Sequence, residues 1–519
     1  MRTIFLLFDS LNRSALGAYG GTAIPTPNFD RLAARSMTFD RHYVGSLPCM
    51  PARRDMHSGR LNFMHRSWGP LEPFDNSFAE ILKWRGTYTH MITDHLHYFE
   101  DGGAGFHTRF NSWEYVRGQE YDPWIARVDP KVEGVRETFA ESHYPPTRDS
   151  KRFQHMVNCE VMREEGDFPG PQCFGKAFEF LDRNRAADDW LLMLECFDPH
   201  EPFHAPDRFR EAFRTNYEGG VLDWPYYERV AETPDEIAEI RANYAALLTM
   251  CDEYLGRLLD YLDAHDMWDD TALIVTTDHG FLLGEHDWWG KCRMPYYEEV
   301  SHIPLMIHDP RQPGAAGRRT GALTQTTDLM PTLLGLHDAE VPVEVCAQDL
   351  DVFLADPGAE GREVAVFGVF GGPIGITDGA SVLYHYPPDW TAPGLREYTL
   401  APHHMSAPFT EKELATAELV PGFDFTRGVP LLSYAALPDA KRVPMNDGLG
   451  FEDTGTRLYD LHRDPRQETP IEDARRAADL RQAAVAVLTA HDTPNEVYDW
   501  YGLATEYRHE REDHHETVT

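Results

Sequence analysis

Two short apolar runs end at groups able to hold a cation: Ile4 to Phe8 stops at Asp9, and Ala272 to Thr277 stops at Asp278-His279. Carboxylates brought together in a cleft repel unless positive charge lies between them. A strand-terminal Asp can do no more than cap a turn, but two such strands, one with an adjacent imidazole, point to a divalent metal. A third chemical segment is Ser46-Leu47-Pro48-Cys49-Met50-Pro51-Ala52-Arg53-Arg54-Asp55-Met56-His57-Ser58-Gly59-Arg60. A buried structural thiol is the ordinary fate of cysteine. Pro51 and two arginines are poor company for an apolar core site, so Cys49 is read as a reactive position.

These groups need a scaffold that delivers them to one edge. Short apolar runs that stop at polar residues are how buried parallel strands look. Besides the two above, Tyr88 to Ile92 precedes Thr93-Asp94-His95-Leu96-His97, Trp190 to Leu194 precedes Asp198-Pro199-His200, and Ile303 to Ile307 is a further strand. Between them lies a helical pattern, Ile237, Ile240, Tyr244, Leu247, Leu248, Cys251, Leu255, Leu258, Leu259 and Leu262, that feeds the strand ending at Asp278. Thr26-Pro27 reads as N-cap and first helical residue. Alternating strand and helix predicts a doubly wound α/β sheet whose ligands sit outside the carboxyl ends of its strands.

Beyond about residue 350 the texture changes to short strand-like runs, Val364 to Phe370, Ala380 to Tyr386 and Arg457 to Leu461, and a late helix, Asp473 to Thr489. The expected organisation is an α/β catalytic domain over 1–355 and a smaller α+β domain with a terminal helix and tail over 356–519.

The chain has 519 residues with 48 Lys+Arg against 85 Asp+Glu, a formal net charge of −37, and 42% hydrophobic residues. That average field repels nucleic-acid phosphates and anionic headgroups, so neither nucleic acid nor membrane is an expected partner. No run approaches the ~20 apolar residues of a membrane span, and the first apolar stretch is short for a signal peptide, so a soluble cytoplasmic protein is expected. Seven dispersed cysteines without a Cys-x-x-Cys pair suggest neither a disulfide framework nor a thiolate zinc site.

The Cys49 segment resembles the signature of type I, formylglycine-dependent sulfatases of the alkaline phosphatase superfamily: Cys-x-Pro-x-Arg followed by Thr-Gly-Arg, with Ser58 in place of Thr. Similar stretches include Tyr19-Gly20, Pro25-x-Pro27-Asn28-Phe29-Asp30, Pro199-His200-x-Pro202-Phe203, Thr277-Asp278-His279-Gly280, Gly284-Glu285-His286, Gly290-Lys291, Thr327-Asp328 and Leu458-Tyr459-Asp460-Leu461. The resemblance implies an alkaline-phosphatase-like, mostly parallel sheet. Two departures stand out: Ser10 follows Asp9 where many sulfatases have a second Asp, and Thr93 to His97 replaces the usual Gly-Lys-Trp-His. His65-Arg66 through Pro70-Leu71 and Pro73, together with Asp278-His279, look like the phosphonate monoester hydrolase branch.

The resemblance implies that Cys49 is oxidised by a formylglycine-generating enzyme and that one divalent ion, Mn²⁺ or Ca²⁺, is held by Asp9, Cys49, Asp278 and His279. The aldehyde hydrate then offers two hydroxyls, one to attack the ester and one to expel the oxyanion. Arg53 would hold the diol, His200 and Lys291 would contact the transferring group or leaving oxygen, and His95 or His97 would replace the absent lysine. The expected substrate is a small sulfate ester, or a phosphonate ester or phosphodiester; a non-catalytic, metal-stabilised binding protein would keep Cys49 as a thiol. Homo-oligomerisation is left open. Trp288-Trp289 and Tyr296-Tyr297 are expected to pack in the core or between domains rather than to wall the pocket.

Overall fold

The computed structural model describes the whole chain except residues 130–136, 146, 148–149, 292–294, 390–391, 437–454, 505 and 508–519. Its main sheet contains β1 (Arg2–Phe8), β2 (Met37–Tyr43), β3 (Tyr88–Thr93), β4 (Ser112–Tyr115), β5 (Trp190–Cys196) and β6 (Thr271–Thr277). A two-strand ribbon, β7 (Leu282–Leu283) and β8 (Trp289–Gly290), follows, and β9 (His302–His308) and β10 (Arg319–Gln325) return to the main sheet. The order is β10-β2-β9-β6-β1-β5-β3-β4. All pairings are parallel except those of β9, which runs antiparallel to both β2 and β6. The mostly parallel α/β sheet read from the sequence is therefore what forms, and β9 is its single reversed strand.

Alternation along β1 shows why the sheet is buried on both faces. Ile4, Leu6 and Phe8 enter one core with the helices Pro169–Asn184 and Pro234–Ala264. Phe5 and Leu7 enter the opposite core with the helices Cys49–Ser58, Phe78–Arg85 and Leu329–Leu336. Helix Pro234–Ala264 is the long element read from the Ile237 to Leu262 periodicity, and Thr233 and Glu236 cap it reciprocally. Thr26 does stand before the helix Pro27–Ala33, but its hydroxyl accepts from Gly17 N at 2.8 Å instead of capping that helix.

All strands of the main sheet lie within residues 2–325; the later strands form two smaller sheets. β11 (Ala365–Gly368), β12 (Ile374–Thr377) and β13 (Ser381–His385) join the last strand, β17 (Arg457–Asp460), in an antiparallel sheet backed by the helix Ala474–Ala490. β14 (Arg396–Thr399), β15 (Glu418–Val420) and β16 (Leu431–Ala435) form the second. Trp288, Tyr296 and Tyr297 pack with Phe367, Val369, Tyr384 and Tyr459 of the first small sheet, and Trp289 lies in the core of the main one. Among the described residues no helix is long and apolar enough to cross a membrane.

Candidate active site

β1 and β6 are parallel neighbours in register, Phe8 opposite Thr277, so Asp9 and Asp278 leave the sheet side by side. On the other flank of β1, Leu7 pairs with Glu195 of β5, which brings a third carboxylate to the same edge. Ser10 turns the chain sharply with φ of 58°. Its N–H donates to Asp278 Oδ1 at 3.2 Å and its hydroxyl to Asp9 Oδ1 at 2.8 Å.

Cys49 opens the helix Cys49–Ser58, and Arg53 follows four residues later on the same face. The Arg53 guanidinium donates to Asp9 Oδ2 at 2.8 Å, Asp278 Oδ2 at 2.6 Å, Glu195 Oε1 at 2.7 Å and the Cys49 carbonyl at 3.0 Å. All four side chains in the ion cluster are fully buried. A buried guanidinium is tolerated only when its donors are matched, and three carboxylates match it. Burial alone would raise the Asp9 pKa, but the positive charges of Lys291 and Arg53 outweigh it and hold the carboxyl below the usual range. Burial and the neighbouring Asp9 charge push the Cys49 thiol well up, so an unmodified Cys49 stays protonated and is a poor thiolate nucleophile.

Ligand atoms of Asp9, Cys49, Asp278 and His279 all lie within 4.8 Å of one another. His279 Nδ1 lies 3.0 Å from the Gly280 carbonyl, which requires the proton on that nitrogen. Nε2 therefore turns its lone pair towards Asp278 Oδ2 at 3.2 Å and Cys49 Sγ at 3.4 Å. Burial lowers the His279 pKa, which keeps the ring neutral. A nitrogen lone pair, two carboxylates and a sulfur converging without enough protons is a donor set that fits a dication.

Lys291 follows β8, donates to Ser10 Oγ at 3.1 Å and lies 3.8 Å from both Asp9 Oδ1 and Glu201 Oε2. His200 bonds the Glu201 carbonyl through Nδ1, leaving Nε2 as its lone-pair nitrogen; burial and Lys291 hold it neutral. Cys49, His97, His200 and Lys291 line one cavity of about 860 Å³. His95 does not reach that wall. It is fully buried, its Nε2 is 3.5 Å from Asp9 Oδ2, and neither ring nitrogen has a hydrogen-bond partner among the described residues. Burial and Arg53 hold its pKa well below the ordinary value. Of the two histidines expected to stand in for lysine, only His97 faces the cavity, its Nδ1 bonded to Glu100 at 2.6 Å.

Sequence reasoning missed several residues here. Glu195 ends the run Trp190 to Leu194 as Asp9 ends its own, and that pattern could have found it. Asp55 had no such signal: it accepts from Ser46 N, Ser46 Oγ and Asn62 Nδ2 at 2.5, 2.9 and 2.6 Å, tying the loop before Cys49 to the helix after it. The second small sheet also reaches the cavity. Arg66 donates to Glu397 at 3.0 Å and to the His403 carbonyl, Ser67 N donates to Glu397 at 2.8 Å, and residues 404–407 and 410–413 supply one wall.

Beneath His95 and His200, Asp94 and Asp198 are both buried and share the side-chain amide of Gln119 at 3.0 and 3.1 Å. Burial raises both pKa values, to about 7 for Asp198. A carboxyl raised in the folded state holds its proton where the unfolded chain has released it. The Asp198 contribution to stability is therefore full below about pH 4 and declines as pH rises towards 7, by a few kcal/mol at most. Asp198→Asn should flatten that limb, measured as the difference in thermal midpoint between pH 5 and pH 8 for variant and wild type. An unchanged difference would show that the pair does not titrate in this window.

The sulfatase family model matches residues 2–339. The chain is 27% identical over 384 residues to the multifunctional alkaline phosphatase superfamily protein PehA of Trinickia caryophylli, covering 64% of this chain and 72% of that one. It is 24% identical over 424 residues to an N-acetylglucosamine-6-O-sulfatase of Bacteroides thetaiotaomicron, covering 70% and 73%. The fold is shared with BT4656, solved with D-glucosamine-2-N,6-O-disulfate, at a TM-score of 0.63, 18% identity and coverage of 95% and 98%. It is also shared with the phosphonate monoester hydrolase of Agrobacterium radiobacter, at 0.61, 18% and 95% of each chain. With the family model covering more than half of its length, and with Asp9 and Asp278 at one edge of the sheet meeting Cys49 at the start of its helix, the chain belongs to the sulfatase family of hydrolases.

Proposed function

We propose that the protein is a metal-dependent hydrolase of sulfate monoesters whose nucleophile is formylglycine made from Cys49. One observation carries this reading: Cys49, in its signature, opens a helix within ligand distance of Asp9, Asp278 and His279, beside a cavity of substrate size. A dication at these residues would supply positive charge against the ester oxygens, and the aldehyde hydrate would supply the attacking hydroxyl. The same separation of labour leads us to propose residues 1–355 as the catalytic unit and 356–519 as the unit that completes its pocket wall.

The chain's own groups have separable tasks. Arg53 fixes Asp9, Asp278 and Glu195 relative to the Cys49 backbone, so the reacting centre is set before substrate arrives. Lys291 places a full positive charge on the cavity wall for an anionic ester oxygen. His200, neutral with its Nε2 lone pair free of the Glu201 carbonyl, can take a proton there. His95 stays neutral and braces Asp9, while His97 is oriented by Glu100 towards the alcohol half of the substrate.

A second reading, hydrolysis of phosphonate monoesters or phosphodiesters, is favoured by the nitrogen ligand His279 beside Asp278 and by the likeness to a solved phosphonate monoester hydrolase. Each of these esters carries one negative charge, so the same cations can serve all three. The test is a panel of aryl sulfate, sugar sulfate, phosphonate monoester and phosphodiester with protein matured by a formylglycine-generating enzyme. Highest kcat/KM on a sulfate is expected; a phosphodiester preferred over every sulfate would make the second reading the correct one.

A further inference from the structure

The cavity above Cys49 is lined by six glutamates, Glu100, Glu120, Glu201, Glu228, Glu411 and Glu413, but by only four cationic side chains, Lys151, Arg152, Lys291 and Lys412. The cations are already engaged. Arg152 donates to the carbonyls of His143 and Pro225 and lies over the rings of Trp224 and Tyr226. Lys151 sits 4.1 Å from the Tyr121 ring centre, Lys291 donates to Ser10, and Lys412 also has a partner.

Three of the six carboxylates are engaged too, and Glu228 and Glu411 are exposed to solvent. Glu100 takes His97 and Tyr121, Glu413 takes Thr410 and His404, and Glu201 Oε1 takes Tyr227. Glu120 differs. Among the described residues, Oε2 of Glu201 and Oε2 of Glu120 are both buried without a hydrogen-bond partner, but Glu201 Oε2 lies 3.8 Å from the Lys291 ammonium, whereas Glu120 Oε2 has the His97 imidazole at 3.8 Å and no Lys or Arg within ion-pair distance. The residue is only 8% exposed and its φ is 46°, a conformation that glutamate keeps only when its surroundings impose it. Burial above all raises its pKa, to about 7, as expected of a carboxylate waiting for a donor.

Its place relative to the chemistry follows from contacts already described. Asp9 touches His95 at 3.5 Å, the His95 and His97 rings are 5.1 Å apart, and Glu120 lies beyond His97. Glu120 thus lines the same cavity as Cys49, beyond His97 as seen from Asp9. Trp68 and Tyr121 flank the same histidine, edge-on at 5.1 and 6.1 Å, and Tyr121 is the residue next to Glu120. A buried carboxylate with an unmet oxygen on the cavity wall suits a cationic donor, through a charge-assisted hydrogen bond.

Resting on the ester-hydrolase reading above, we propose that Glu120 recognises the alcohol half of the substrate and that this half carries an ammonium N–H donor. The substrate is then zwitterionic: its anionic ester faces Lys291 and His200, and its ammonium faces Glu120. An ester of a neutral alcohol would add a further negative charge to a cavity that already holds two more glutamates than cations, whereas a zwitterionic ester adds none.

Binding of product-like alcohols tests this without requiring turnover. Calorimetric affinities of the ring isomers of (aminomethyl)phenol are compared with their hydroxymethyl counterparts at pH 7.5, for the full-length, matured protein and for Glu120→Gln and Glu411→Gln. The wild type should prefer the amine about tenfold or more in at least one isomer. Glu120→Gln should reduce that ratio to about threefold or less, and Glu411→Gln should keep it. Equal affinities in the wild type, an unchanged ratio in Glu120→Gln, or the same collapse in Glu411→Gln would each overturn the assignment. A wild type that turns over none of the ester panel would instead sink the hydrolase reading and leave the binding ratio legible.

Discussion

Cys49→Ala and Cys49→Ser are each expected to lower multiple turnover by about 10³-fold or more while leaving the fold in place. The position is small and only 1% exposed, at the first turn of a helix whose other contacts do not depend on sulfur. Loss or exchange of one atom there costs on the order of 1 kcal/mol, a shift of a few degrees in thermal midpoint. Serine is the informative variant. It supplies one hydroxyl, enough to displace an alcohol once, but no second hydroxyl on the same carbon to expel the anion it has captured. A burst of no more than one product per chain is therefore the expected signature. Intact-mass measurement of the Cys49 peptide should show the aldehyde in active wild-type protein. Steady turnover by Cys49→Ser near the wild-type rate would refute the two-hydroxyl chemistry, and an active protein carrying only the thiol would refute the nucleophile itself.

The parts of this site that could be read from the sequence are those encoded locally. Asp9 and Asp278-His279 were legible because a buried strand is an uninterrupted apolar run, so the first polar residue after it marks the carboxyl edge of the sheet. Cys49 and Arg53 were legible through their spacing within one helix. The long helix Pro234–Ala264 announced itself over its whole length. By contrast, β2 and β10 were not foreseen. Met37-Thr38-Phe39-Asp40-Arg41-His42-Tyr43 and Arg319-Thr320-Gly321-Ala322-Leu323-Thr324-Gln325 are polar enough to read as loops. They are strands because β9 and each other offer ladder partners, which no local pattern records.

The cavity wall was the least legible part. Trp68, Tyr121 and Trp224 come from loops distant in sequence, the 404–413 segment from a loop and the first turn of the short helix Glu411–Leu414, and the aromatic pairs Trp288-Trp289 and Tyr296-Tyr297 that stand out in the sequence pack elsewhere. What joins the wall to the catalytic edge is a buried polar contact, Arg66 with Glu397, across more than 300 residues. Charge in the sequence cannot say which arginine will meet which glutamate. Glu120 is hidden for the same reason: its meaning lies in the partner that its Oε2 lacks, a property of the folded surroundings alone.

Asp278→Asn is expected to lose metal and activity together while keeping the architecture of the site. Asparagine retains the size of the side chain and one acceptor oxygen, so Arg53 can keep a hydrogen bond there and holds its other partners, Asp9 and Glu195, regardless. What disappears is one negative charge from a donor set of two carboxylates, one imidazole and the Cys49 side chain. A dication held by so few charges cannot lose one without a large drop in affinity, at least the 10–100-fold that even outer partners of a metal site command. The measurement that separates this from mere damage is thermal. Adding Mn²⁺ to chelator-treated wild type at about 100 times its Kd should stabilise the fold by roughly 2.7 kcal/mol, and the same addition should leave Asp278→Asn almost unmoved. The nitrogen of His279 among oxygens favours Mn²⁺ over Ca²⁺, so Mn²⁺ should give the larger shift at equal concentration. Elemental analysis should find about one ion per wild-type chain. A chelated, metal-free wild type with full activity would defeat the metal site, whereas equal stabilisation of wild type and Asp278→Asn by Mn²⁺ would place the ion somewhere other than between Asp9, Asp278 and His279.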